Sequence, residues 1–175
     1  EQEREARSLY PPVPQSARRS HRNARSAGAR NDGQGLRQTH DQAVENVRQI
    51  AALIAEQPKD RRPDFEGALS TAFGCSIEGV ISEETVLRLA ERLVEAGVDE
   101  LGLSDTVGYA NPVQVKRLIR RTREVAGADR VKSVHLHNTY GQGLANAFAA
   151  WEEGIETFDG SLGGLGGCPA SPGAS

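Results

Sequence analysis

From His40 onward the apolar positions alternate between helix-like and strand-like stretches. Ala43, Val44, Val47, Ile50, Ala51 and Ile54 recur at the spacing of one helix face, which predicts an amphipathic helix over 41–56. Pro58 to Pro63 reads as a charged turn, and Phe65 to Phe73 as a buried strand. Ser82 can accept a hydrogen bond from a first-turn amide, so it caps a helix over 83–96 that Gly97 stops. Val98 to Leu103 is the next strand. Asn111 caps the following helix, with Pro112 in first position, where no intrahelical N–H is needed; it runs to Ala126, before Gly127. Val131 to His137 is a strand, Gly141 to Glu153 a helix ended by Gly154, and Ile155 to Phe158 the last strand. Phe148 and Trp151, three apart on that last helix, are expected to face the core.

Short strands separated by helices of about 12–15 residues imply βα units and a parallel sheet. The polar clusters all follow strands: Ser76 and Glu78, Asp105 and Thr106, His135 to Asn138, Asp159 and Ser161. The C-terminal ends of strands carry the active site in a (β/α) barrel, and a doubly wound sheet obeys the same rule. Placement alone therefore does not choose between the two.

Residues 1–38 break this order. They hold eight Arg and four acids with no apolar period. Such a stretch cannot bury enough apolar surface to offset its ordering entropy, so it is expected to be disordered or non-native, with residues 39–175 forming the domain. The 175 residues suffice for a core but fall short of the roughly 250 of a complete barrel. Glu1 at the start and the lack of Met suggest a fragment. A net charge of −3 gives no reason to expect nucleic acid, and no apolar run is long enough for a membrane helix. Two cysteines and no apolar leader fit a reducing, cytoplasmic setting.

His135 and His137 are two apart on an expected strand, so both rings point to one face and can converge, when neutral, on one cation. The alternative is a pair of hydrogen-bonded interior histidines. Mixed nitrogen and oxygen ligands with open positions suit Mg²⁺ or Mn²⁺, and Zn²⁺ stays open. Asp105 is either the Asx turn that leaves a strand or a carboxylate facing the barrel axis. Cys168 lies in Gly163-Gly164-Leu165-Gly166-Gly167-Cys168-Pro169, either a flexible connector or a loop that brings a proton-donating thiol over a substrate. Cys75 reads as a small packed residue.

Four segments occur together: Thr71 to Cys75 (TAFGC), Ser104 to Pro112 (SDTVGYANP), His135 to Asn146 (HLHNTYGQGLAN) and Phe158 to Pro169 (FDGSLGGLGGCP). On these, the chain from His40 to Ser175 resembles 3-hydroxy-3-methylglutaryl-CoA lyase, of the metal-dependent pyruvate carboxyltransferase-like superfamily. The resemblance implies an α/β fold, a (β/α)8 TIM barrel present as its C-terminal half of about four βα units. It implies a carbon–carbon lyase with an acyl-CoA substrate, a divalent metal (Mg²⁺ or Mn²⁺) and a homo-oligomeric full-length protein. His135 and His137 would be metal ligands, His135 also a proton relay, Asp105 an assistant at the substrate hydroxyl, and Cys168 the acid that serves the enolate. The H-x-H-N strand is shared with isopropylmalate, homocitrate and citramalate synthases, which leaves acyl-CoA condensation as an alternative and a non-catalytic barrel remnant as another. The family's Arg-Asp first strand and its Gly-Asn segment have no counterpart here, so weak metal binding and impaired activity are expected of this chain alone.

Overall fold

Thr39 begins the ordered pattern with a reciprocal cap. Its Oγ1 accepts from the Gln42 amide at 3.2 Å while the Gln42 side chain accepts from the Thr39 amide at 2.9 Å. The structure, a computed structural model, describes residues 39–164, 166, 167 and 174. The Arg-rich segment 1–38 and Cys168 lie outside the described residues. From the cap runs α1 (His40–Ala55), then β1 (Glu66–Leu69), α2 (Glu83–Glu95), β2 (Glu100–Ser104), α3 (Pro112–Ala126), β3 (Val131–His135), α4 (Gly143–Glu152) and β4 (Thr157–Phe158). Ser82 and Asn111 cap α2 and α3 through their side chains, as their positions predict. Pro58–Pro63 contains one 3-10 turn, Lys59–Arg61.

The strands form one sheet in the order β1-β2-β3-β4, every pair parallel. Its two faces differ in chemistry. Leu69, Leu101, Leu103, Val131 and Val134 lie in register on one face and belong to the buried core with Leu93, Leu118 and Ile119 of the helices. The opposite face carries Glu66, Gly102, Ser104, Ser133 and His135. Gly102 leaves room there: a Cβ would meet both Ser133 Oγ and Glu66 Oε1, which are themselves hydrogen bonded. A register shift between Leu101 and Gly102 skips Lys132 of β3, so a bulge puts Val131 and Val134 on the apolar face and Ser133 and His135 on the polar one. This is the layered, parallel α/β arrangement of a (β/α) barrel segment, and no described helix is long and apolar enough to cross a membrane.

Three strands are shorter than their apolar runs. β1 ends at Leu69 because Thr71 adopts φ 55° and the Ala72 amide then donates to Ser104 O at 3.1 Å, turning the chain over the end of β2. β3 ends at His135, opposite the last residue of β2, so the residues beyond have no ladder to join. Ile155 is fully buried but precedes β4, its amide donating to Ala150 O.

The larger correction concerns α4. Phe148 and Trp151 do not face the core; they are 58% and 62% exposed and lie tilted against each other with ring centroids 5.6 Å apart. The buried face of α4 is made of Asn146, Ala149 and Ala150. Small residues let α4 pack closely, and the aromatics are left on the far side.

Candidate functional site

His135 is the last residue of β3, on the polar face beside Ser104. His137 lies beyond the strand, so the alternation argument does not place it. A turn does: the Gly141 amide donates to Asn138 O at 2.8 Å, and Asn138 Oδ1 accepts from the Gly143 amide at 2.8 Å at the start of α4. The turn brings His137 Nε2 to 3.2 Å from His135 Nε2, with ring centroids 5.1 Å apart.

Asp159, directly after β4, completes the arrangement. Its Oδ2 lies 3.0 Å from His135 Nδ1, each side chain about half exposed. An ionised carboxylate only accepts, so Nδ1 is the donor in this contact, and in a neutral ring Nε2 is the nitrogen left to face His137 with a lone pair. Two nitrogens each about 2.1 Å from one ion stand about 3.0–3.4 Å apart, depending on coordination geometry. The observed spacing therefore fits two ligands of one divalent ion. Among the described residues, no group of three or more His, Cys, Asp or Glu side chains converges on such a point. Substrate oxygens, water or further protein groups would have to fill the remaining positions.

Asp105 follows β2 and is fully buried. Its Oδ1 accepts from the Tyr109 amide at 2.9 Å and its Oδ2 from the Ala110 amide at 3.1 Å, while its own amide donates to His135 O at 2.8 Å. Burial pushes the carboxyl above the usual range; the amides of Ala110, Tyr109 and Gly108 and the charge of His135 pull it partly back. The carboxylate thus organises its own loop, as the Asx-turn reading has it, while the backbone amide of Asp105 ties that loop to the last residue of β3.

Thr106, next in the chain, accepts from the Thr71 amide at 2.8 Å through Oγ1. Thr71 is a β-branched residue held at positive φ on this same end of the sheet, a strained position of the kind that clusters at functional sites. Cys75 is buried, its backbone paired in both directions with Gly79, in line with a packed residue. Tyr109 of the loop after β2 and Tyr140 of the loop after β3 stack with ring centroids 5.5 Å apart.

The sequence reading placed His135, His137 and Asp105 at one end of the sheet; the structure brings the two histidine rings together and joins Asp105 to His135 through the backbone. Cys168 lies outside the described residues. Asp159 was visible only as a polar residue after the last strand. Its pairing with His135 depends on β3 and β4 being neighbours, which residue order alone does not state. The strain at Thr71 has no sequence signal.

The HMGL-like family profile matches residues 26–171. The chain is 48% identical over 107 residues to a hydroxymethylglutaryl-CoA lyase of Bacillus subtilis, covering 61% of this chain and 36% of that protein. It is 47% identical over 108 residues to an (R)-citramalyl-CoA lyase of Chloroflexus aurantiacus, covering 62% of this chain and 34% of that protein. Among solved structures, an HMG-CoA lyase from Acenitobacter baumannii in complex with coenzyme A and 3-methylmalate superposes with a TM-score of 0.70 at 41% identity, over 80% of this chain and 44% of that one. The chain thus spans about a third of the length of the curated relatives it matches.

Proposed function

Since the chain belongs to the HMGL-like family, we propose that it carries the metal-binding end of a lyase that splits 3-hydroxy-3-methylglutaryl-CoA into acetyl-CoA and acetoacetate. The observation that carries this reading is the pair of imidazole Nε2 atoms 3.2 Å apart at the C-terminal end of β3, with Asp159 behind His135.

A divalent ion, Mg²⁺ or Mn²⁺, held by His135 and His137 would act as a Lewis acid towards the substrate's hydroxyl and carboxylate oxygens. Asp159 keeps the His135 proton on Nδ1 and so fixes which nitrogen faces the site. Asp105, with its raised proton affinity, assists at the substrate hydroxyl, with His135 as the relay. As the hydroxyl proton leaves, the bond between the carbinol carbon and the thioester α-carbon breaks. Its electron pair passes into the thioester as an enolate, and the carbinol becomes the ketone of acetoacetate. The Cys168 thiol then gives its proton to the enolate carbon and leaves acetyl-CoA. The coenzyme A bound in the Acenitobacter enzyme supports an acyl-CoA substrate. The full-length protein is proposed to be a homo-oligomer.

A second reading is favoured by the likeness to a citramalyl-CoA lyase: the same bond cleavage on citramalyl-CoA. Both readings are tested by incubating the purified protein and Mn²⁺ with each thioester and assaying the released ketone product. Acetoacetate release that drops about 10²–10⁴-fold in Cys168→Ala is expected. Cleavage of citramalyl-CoA alone selects the second reading. Condensation of acetyl-CoA with a 2-oxo acid, without cleavage of either thioester, overturns both.

A further inference from the structure

His137 stands outside the sheet, so its ring position depends on whatever holds the loop after β3. That loop and the helix after it are each tied to the loop after β2. Thr139 Oγ1 donates to Val107 O at 2.7 Å, and Asn146 Nδ2 of α4 donates to Ala110 O at 3.0 Å. The Val107–Ala110 stretch is itself held by the Asp105 carboxylate. Gly108 makes the close approach possible: it adopts φ +74°, and a Cβ there would lie 2.6 Å from Thr139 Cβ and 2.9 Å from the Thr139 amide nitrogen. Thr139 is two residues after His137 and inside the turn that carries it.

We propose that Thr139 is a positioning residue for His137: its hydroxyl bond to Val107 O, made over Gly108, sets the distance between the His137 and His135 rings. The inference rests on the metal-centre reading for its functional meaning, but the ring geometry it concerns is present without an ion. The bond crosses between loops instead of running within one, and it is the hydrogen bond by which the turn meets the loop after β2, beside the stacking of Tyr140 on Tyr109. Asn138 and Gly141 fix the shape of the turn, and Thr139 fixes where the turn sits. A loop with the right shape in the wrong place leaves His135 with Asp159 but without its partner.

The test compares the whole chain with Thr139→Ser, Thr139→Val and Thr139→Ala. Long-range ¹H–¹⁵N spectra of the metal-free protein read the His135 and His137 ring nitrogens, and Mn²⁺ titration by calorimetry reads the site. Thr139→Val keeps the shape and removes the donor; Thr139→Ser keeps the donor. The expected result is that Val and Ala shift the His137 ring signals and weaken Mn²⁺ binding about 10-fold, the range seen when groups supporting metal ligands are removed, while Ser restores both. If Thr139→Val or Thr139→Ala keeps the wild-type ring spectrum, or if Ser fails as Val does, the inference is overturned. If wild type binds no Mn²⁺, the metal-centre reading fails separately, and the ring spectra still decide the role of Thr139.

Discussion

The Asp159–His135 contact joins side chains that are each about half exposed, so it adds little to folding stability; its proposed role is to orient the ring and leave Nε2 for an ion. Asp159→Asn is expected to leave the thermal midpoint nearly unchanged and to lower Mn²⁺ affinity by about 10-fold or more, read by calorimetry. Equal affinity would remove Asp159 from the site. Asp105 behaves in the opposite way, being wholly buried with both oxygens engaged by backbone amides. Asp105→Ala leaves the Tyr109 and Ala110 amides without their acceptor, and a loss of about 1–3 kcal/mol in denaturant unfolding is expected. Asp105→Asn, which keeps one acceptor oxygen, should lose less.

The starts of α2 and α3 were legible because a cap is local chemistry: Ser82 and Asn111 sit where one side chain and one amide suffice to define an end, whereas α4, expected from Gly141, begins at Gly143 without a side-chain cap. Strand ends were less legible. β1 and β3 stop where a neighbour or a positive φ stops them, and neither is written in the apolar run itself. The face of α4 was misjudged for a related reason. Its sequence is apolar nearly all round, so periodicity cannot choose between the large residues Phe148 and Trp151 and the small ones Ala149 and Ala150. Between helices, Glu83 in the first turn of α2 accepts from Arg117 Nε and Arg121 Nη1 of α3, each at 2.8 Å. Foremost the Arg117 hydrogen bond holds the Glu83 carboxyl below its ordinary range. A lowered folded-state pKa contributes stability above the unfolded value of about 4.3, and that contribution is lost as pH falls through the folded one. Wild type should therefore exceed Glu83→Gln in stability at neutral pH, with the difference shrinking below about pH 4 in urea titrations. A difference that grows on acidification would contradict this.

At the scale of the molecule, one parallel sheet separates two environments. The helix-facing side is apolar and buried, and Leu101→Ala at its centre is expected to cost about 2–5 kcal/mol in unfolding free energy. The other side is polar and ends in the histidine pair. The order of βα units and the end of the sheet that bears chemistry could be read from the chain because both repeat. The Lys132 bulge, which sends His135 and not its neighbour to the polar face, and the loop-to-loop tie at Thr139 could not, since each depends on the partner strand or loop. The central claim is that His135 and His137 together hold one divalent ion. Mn²⁺ titration followed by electron paramagnetic resonance, which reads the free ion, tests it directly. The account predicts that wild type depletes free Mn²⁺ and that the His135→Ala, His137→Ala double variant does not; undiminished binding by the double variant, or none by wild type, would contradict it.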